Sequence, residues 1–137
     1  MTVAELEIAD EFAIRTVLAR YCHRCDDGDI PGLLELFTAD AVYTYGQAVA
    51  EGTAGLTEFF APMRDAPHRR GKHLTVNIVA EPAGPDAATA LSDFVVLRIV
   101  DGQLMPVMAG RYADTLVRSG GAWRISRRDT LLMRAPA

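Results

Sequence analysis

The sequence predicts an α+β fold, with three N-terminal helices packed on a strongly curved, mostly antiparallel sheet that encloses a pocket. Three observations predict it. Apolar residues recur at helical spacing from Ile14 to Cys25. Beyond Lys72 the chain becomes long β-prone segments separated by turn signals. Helices precede strands instead of alternating with them, which is the α+β order. The length of 137 residues is that of one domain, residues 1–137, large enough to bury a core without staples.

Val3 to about Asp27 reads as the first helix, with Gly28 just past its end and acids Glu5, Glu7, Asp10 and Glu11 in its first half. Asp29 is a helix N-cap and Pro31 sits in the first turn of a short second helix ending near Thr38. Ala41–Tyr45 is a strand that Gly46-Gln47 turns into Ala48–Glu51. Gly52–Arg64 is the third helix, with Leu56, Phe59, Phe60 and Met63 at helical spacing, and Asp65–Gly71 is a polar loop. Lys72–Glu81, Ala87–Val100, Leu104–Val117 and Trp123–Met133 are strands, the middle two joined by the hairpin signal Asp101-Gly102. Strands this long bend, and a bent sheet with helices across its open side forms a pocket, an α+β barrel in outline. On Ala87–Val100, Leu91, Val95, Leu97 and Ile99 alternate with Phe94 and Val96, so both faces carry apolar residues and need cover. That predicts a homo-oligomer, dimer or trimer.

Half the residues are hydrophobic and 23% are charged, an ordinary globular composition. The net charge of −4 argues against a general nucleic-acid binder. No apolar run approaches a membrane span, and Met-Thr-Val-Ala-Glu-Leu-Glu lacks a signal core, so a cytoplasmic protein is expected.

Asp26 lies four residues after Cys22 and continues the apolar stripe of the first helix, whereas Asp27 and Asp29 fall off it. A carboxylate there is costly unless paired, and the negative end of the helix dipole adds to the cost. His73, opening the first long strand, is the donor placed to meet it. The plainer readings are a solvated turn acid and a surface histidine in the basic run Arg69-Arg70-Gly71-Lys72-His73. Cys22 and Cys25 sit at a helix end on the apolar face, where the dipole does not lower a thiol pKa, so both read as buried small residues. His23 alone is near them, too few ligands for zinc, and no metal or cofactor is expected. Phe37, Phe59, Phe60, Met63 and Met108 supply apolar pocket lining, with plain core packing as the alternative for each. Tyr21 lies on the core stripe, where packing is the commoner role and substrate contact the second.

The segments IRTVLARYCHRCDDGDIPGLLELFTADAVY, EGTAGLTEFF, KHLTVNIV and GRYADTLVRSGGAWRISRR resemble the SnoaL-like branch of the nuclear-transport-factor-2-like superfamily over about Glu5 to Met133. Within it the chain is most similar to scytalone dehydratases and γ-hexachlorocyclohexane dehydrochlorinases. The resemblance implies a cone-shaped pocket that holds an Asp–His dyad on Asp26 and His73, with Asn77 as a substrate contact and Tyr45 as the group that polarises a substrate oxygen. One further dehydratase tyrosine falls on Cys25, and that enzyme's second pocket histidine has no counterpart. The activity implied by the resemblance is that of a cofactor-independent lyase or isomerase, dehydratase-like, acting on a small apolar oxygenated or cyclic metabolite by acid–base catalysis. The alternative is a non-catalytic small-molecule binder or structural subunit of the same fold.

Overall fold

Ile14, Val17, Leu18, Tyr21, Cys22 and Cys25 form the buried face of helix α1 (Ile8–Asp27), which anchors the rest of the chain. The fold is known for residues 4–134 from a computed structural model. α1 begins five residues later than the apolar spacing predicts. Ile8 and Phe12 are exposed, so nothing holds the chain helical ahead of the buried stripe; Val3 lies outside the described residues. Gly28 ends the helix in the left-handed conformation, and its N–H and that of Asp29 return to the carbonyls of Cys25 and Arg24.

Asp29 accepts a 3.0 Å hydrogen bond from the Gly32 N–H, which caps α2 (Ile30–Leu34). α2 stops short of Thr38. Leu36 and Phe37 are captured instead by the last strand, the Leu36 carbonyl accepting from Ile125 N–H at 2.8 Å. Phe37 thereby opens β1 (Phe37–Tyr45), followed by β2 (Ala48–Glu51), α3 (Gly52–Asp65) and a 3-10 turn (Pro67–Arg69). The long strands are β3 (Lys72–Pro82), β4 (Ala87–Val100), β5 (Gln103–Ser119) and β6 (Ala122–Leu132).

The six strands form one sheet in the order β2-β1-β6-β5-β4-β3. Every pair is antiparallel except β1 with β6, which run parallel. β2 and β3 are edges, so the sheet is an open, curved half-pipe, as expected of a bent sheet with helices across its open side. Register shifts in β1, in β3 between Val76 and Val79, between β4 and β5, and in β6 opposite Thr115–Leu116 mark where strands bend. Gly110 allows the tightest approach: a Cβ there would strike the Phe94 ring and the Leu131 carbonyl. Ala88, Ala90, Phe94 and Val96 point into the concave side beneath the helices, while Val79, Leu91 and Leu131 stand exposed on the convex side. Among the described residues no helix is long and apolar enough to cross a membrane.

Candidate active site

The concave face and the helices over it leave a cavity of about 340 Å³. Tyr21 of α1, Tyr45 of β1, and Phe59, Phe60 and Met63 of α3 form one wall. Phe94, Val96, Met108 and Tyr112 on the sheet form the other, His73 lies between them, and Arg69 and Arg98 complete the lining towards solvent.

Asp26 reaches this site because Gly28 ends α1 above the start of β3. Its Oδ1 lies 2.7 Å from His73 Nδ1, and both carboxylate oxygens also accept from the His73 backbone N–H, at 3.0 and 3.1 Å. The two side chains are 8% and 10% exposed, so the contact is largely shielded from solvent. A carboxylate held by the strand backbone as well as by the ring fixes where the imidazole stands. In the neutral tautomer that donates Nδ1–H to Asp26, Nε2 is left as an acceptor, and that nitrogen makes no hydrogen bond to any described residue. The ring also meets Tyr21 edge-on, with centroids 6.3 Å apart.

The cavity floor is polar but uncharged. The Tyr21 and Tyr43 hydroxyls are 3.0 Å apart, and burial pushes Tyr43 up to about 12 and Tyr21 well above its ordinary value. Both phenols therefore remain neutral donors. The Tyr45 hydroxyl donates to Met108 Sδ at 3.2 Å, a weak acceptor that a substrate oxygen can replace. The Thr130 Oγ is buried against the cavity without a hydrogen-bond partner among the described residues.

Behind the floor, Arg128 is 0% exposed. Its Nε and Nη2 donate to the two oxygens of Asp114 at 2.7 and 2.8 Å, and its guanidinium lies 3.8 Å from the Tyr112 ring centre and 4.3 Å from that of Tyr21. Burial opposes the charge, but the Asp114 carboxylate outweighs it and keeps the guanidinium ionised. The pair fixes Tyr21 and Tyr112, and with them two sides of the cavity.

The sequence profile of the SnoaL-like domain matches residues 6–129. The chain belongs to the SnoaL-like domain family. No curated protein matches the sequence. Among solved structures, Rv3472 of Mycobacterium tuberculosis, a protein of unknown function, is 29% identical; the match covers 94% of this chain and 79% of that one with a TM-score of 0.86. A candidate scytalone dehydratase from Novosphingobium aromaticivorans is 20% identical over 93% and 86% of the two chains, TM-score 0.83. A hexachlorocyclohexane dehydrochlorinase, LinA type 2, is 18% identical over 93% and 87%, TM-score 0.78. The last two share the SnoaL-like fold, and at such identity the likeness extends no further.

In this SnoaL-like cavity, His73, Tyr45, Tyr21, Phe59, Phe60, Met63 and Met108 come together, and Asp26 stands behind His73, bonded to its ring. Two expected residues do not. Phe37 is buried in the core beneath Tyr21 and Phe60, outside the cavity lining. Asn77 points away from the pocket and donates to Asp93 at 3.0 Å on the exposed side. It lies in the β3 register shift with φ +54°, which breaks the two-residue alternation from His73 and turns it outward. Cys22 and Cys25 are buried unpaired thiols on α1, and burial raises both.

Tyr112, Thr130 and the Arg128–Asp114 pair are the residues that sequence reasoning missed. In β6, Trp123 and Ile125 point inward, and strict alternation sends Arg128 and Thr130 outward. The shift opposite Thr115–Leu116 inserts one residue, Ser126, and turns both inward. A run of Arg127-Arg128-Asp129 carries no sign of which arginine is buried. The aromatic at Tyr112, flanked by Gly110 and Asp114 at two-residue spacing, was the available signal.

Proposed function

We propose that the protein is a cofactor-independent lyase or isomerase, dehydratase-like, acting on a small, mostly apolar, oxygenated or cyclic metabolite. The observation that carries this reading is the imidazole of His73. One nitrogen is held by a shielded carboxylate, and the ring borders an apolar cavity large enough for a small ring compound. His73 Nε2 takes a proton from a carbon next to an activating carbonyl. The C–H electron pair forms the new double bond, and the leaving hydroxyl or halide departs with the pair of its own bond. The imidazolium then returns the proton to a departing hydroxide, which leaves as water. Asp26 keeps the proton-accepting tautomer and steadies the imidazolium. Tyr45 exchanges its bond to Met108 for one to the oxygen on which charge develops.

That a candidate scytalone dehydratase and a hexachlorocyclohexane dehydrochlorinase are built on this fold supports the reaction class. The same reading includes self-association as a dimer or trimer, supported by the exposed apolar convex face, and a cytoplasmic setting, supported by two unpaired buried thiols.

Turnover is sought by mass shift in a panel of cyclic alcohols, ketols and halides. With a substrate in hand, His73→Ala is expected to lose about a hundred- to ten-thousand-fold in rate. Asp26→Asn is expected to keep its circular dichroism and lose much of the activity. A His73→Ala variant as active as the parent refutes the proposal.

A further inference from the structure

We propose that the substrate is anionic, and that its carboxylate, or a group of like charge, docks against Arg69 and Arg98 at the solvent end of the cavity while its apolar body lies towards His73. This rests on the small-molecule reading above and narrows it to a substrate class.

Arg64 pairs with Asp65, Arg111 with Asp93, Arg118 with Asp10, Arg127 with Asp129 and Arg128 with Asp114. Arg70 donates to the carbonyls of Met63 and Arg64 and so caps the end of α3. The side chains of Arg69 and Arg98 make no ion pair or hydrogen bond with the described residues, yet both residues line the one cavity that also holds His73. No carboxylate of the described residues lines that cavity to compensate them.

The site is also held in place locally. A Cβ on Gly71 would lie 2.5 Å from the Leu97 carbonyl and 2.8 Å from Arg98 Cγ, so only glycine lets the chain from Arg69 to His73 rest directly on the Arg98 stem. That close approach brings a cation of the 3-10 turn and a cation of β4 to the same rim. In a chain of net charge −4, a cationic rim around an apolar hole attracts anions locally and repels none within the cavity. Two guanidinium groups suit a planar carboxylate, to which each presents paired N–H donors. Phe94, Val96 and Met63 on the walls between that rim and the floor suit an apolar body.

The test is isothermal titration calorimetry with 2-naphthoate and its neutral counterpart 2-naphthamide, on the parent and on Arg69→Gln, Arg98→Gln and the double variant. The parent is expected to bind the carboxylate about tenfold more tightly than the amide, a preference that shrinks as salt is raised. The double variant is expected to lose that preference while holding the amide as before. Arg69 is exposed, so Arg69→Gln alone still reports if the double variant misfolds; it is expected to reduce the preference. Equal affinity for the two probes, a preference that survives the substitutions, or no saturable binding of 2-naphthoate at millimolar concentration overturns the proposal. Binding is read without turnover, which separates it from the acid–base reading: an active His73→Ala variant sinks that reading and leaves the anion preference to stand on its own result.

Discussion

Asp26 stands at the end of a helix where the backbone dipole works against a carboxylate, and it is kept there by donors from another element. The His73 backbone N–H and ring nitrogen together occupy both of its oxygens. Cys25, one residue earlier, is fully buried, and that burial pushes its thiol from 9.0 up to about 12. Burial likewise pushes Tyr43 from 10.0 up to about 12. Both groups keep their protons in the folded chain at a pH where the unfolded chain has released them. Their contribution is therefore complete below about pH 9 and is lost as pH rises towards 12. The urea midpoint is expected to fall between about pH 9 and 11, and Cys25→Ala is expected to flatten part of that fall. An unchanged slope in the variant would show that the thiol is not the group responsible.

At the scale of elements, three joints place the site. The α1–α2 joint is made by Gly28, which occupies φ +66° with the Arg70 guanidinium and the Met63 carbonyl packed where a Cβ would go. Gly28→Ala is expected to cost about 2 kcal/mol from the left-handed conformation alone, and displacing Arg70 from the end of α3 adds to it. The loss is measured as a shift in the urea midpoint at unchanged slope. A variant as stable as the parent would mean that the joint relaxes freely. The other two joints are the register shifts of β3 and β6. Each inserts a residue and inverts the inside–outside alternation beyond it. One shift turns Asn77 out of the pocket, and the other turns Arg128 and Thr130 in.

For the whole molecule, the half-pipe has two faces with different fates. The concave face is filled by helices and the cavity. On the convex face Val79 and Leu91 are register partners, 56% and 48% exposed, and Leu131 stands exposed on the same side. Apolar surface of this kind on a soluble sheet is normally covered. Multi-angle light scattering is expected to report a dimer or trimer at micromolar concentration, and Leu91→Lys with Val79→Lys is expected to shift it to monomer. A parent that is monomeric throughout refutes the assembly.

Much of this was legible in the sequence because it depends on local chemistry. The helical spacing from Ile14 to Cys25, the Asp29 cap, the Asp101-Gly102 hairpin and the odd placement of Asp26 on an apolar stripe are all short-range signals, and each has its counterpart in the fold. The exit of the chain from α2 into β1 was not legible, because Phe37 is drawn into the sheet by Ile125, far away in sequence. The phase of the strands beyond each bulge escaped for the same reason. A bulge is set by the partner strand's register, and one inserted residue exchanges the faces of every residue beyond it. The sequence by itself determined which side chains were available for the site; the register between distant strands decided that Arg128 and Tyr112 lie behind it and that Asn77 lies outside.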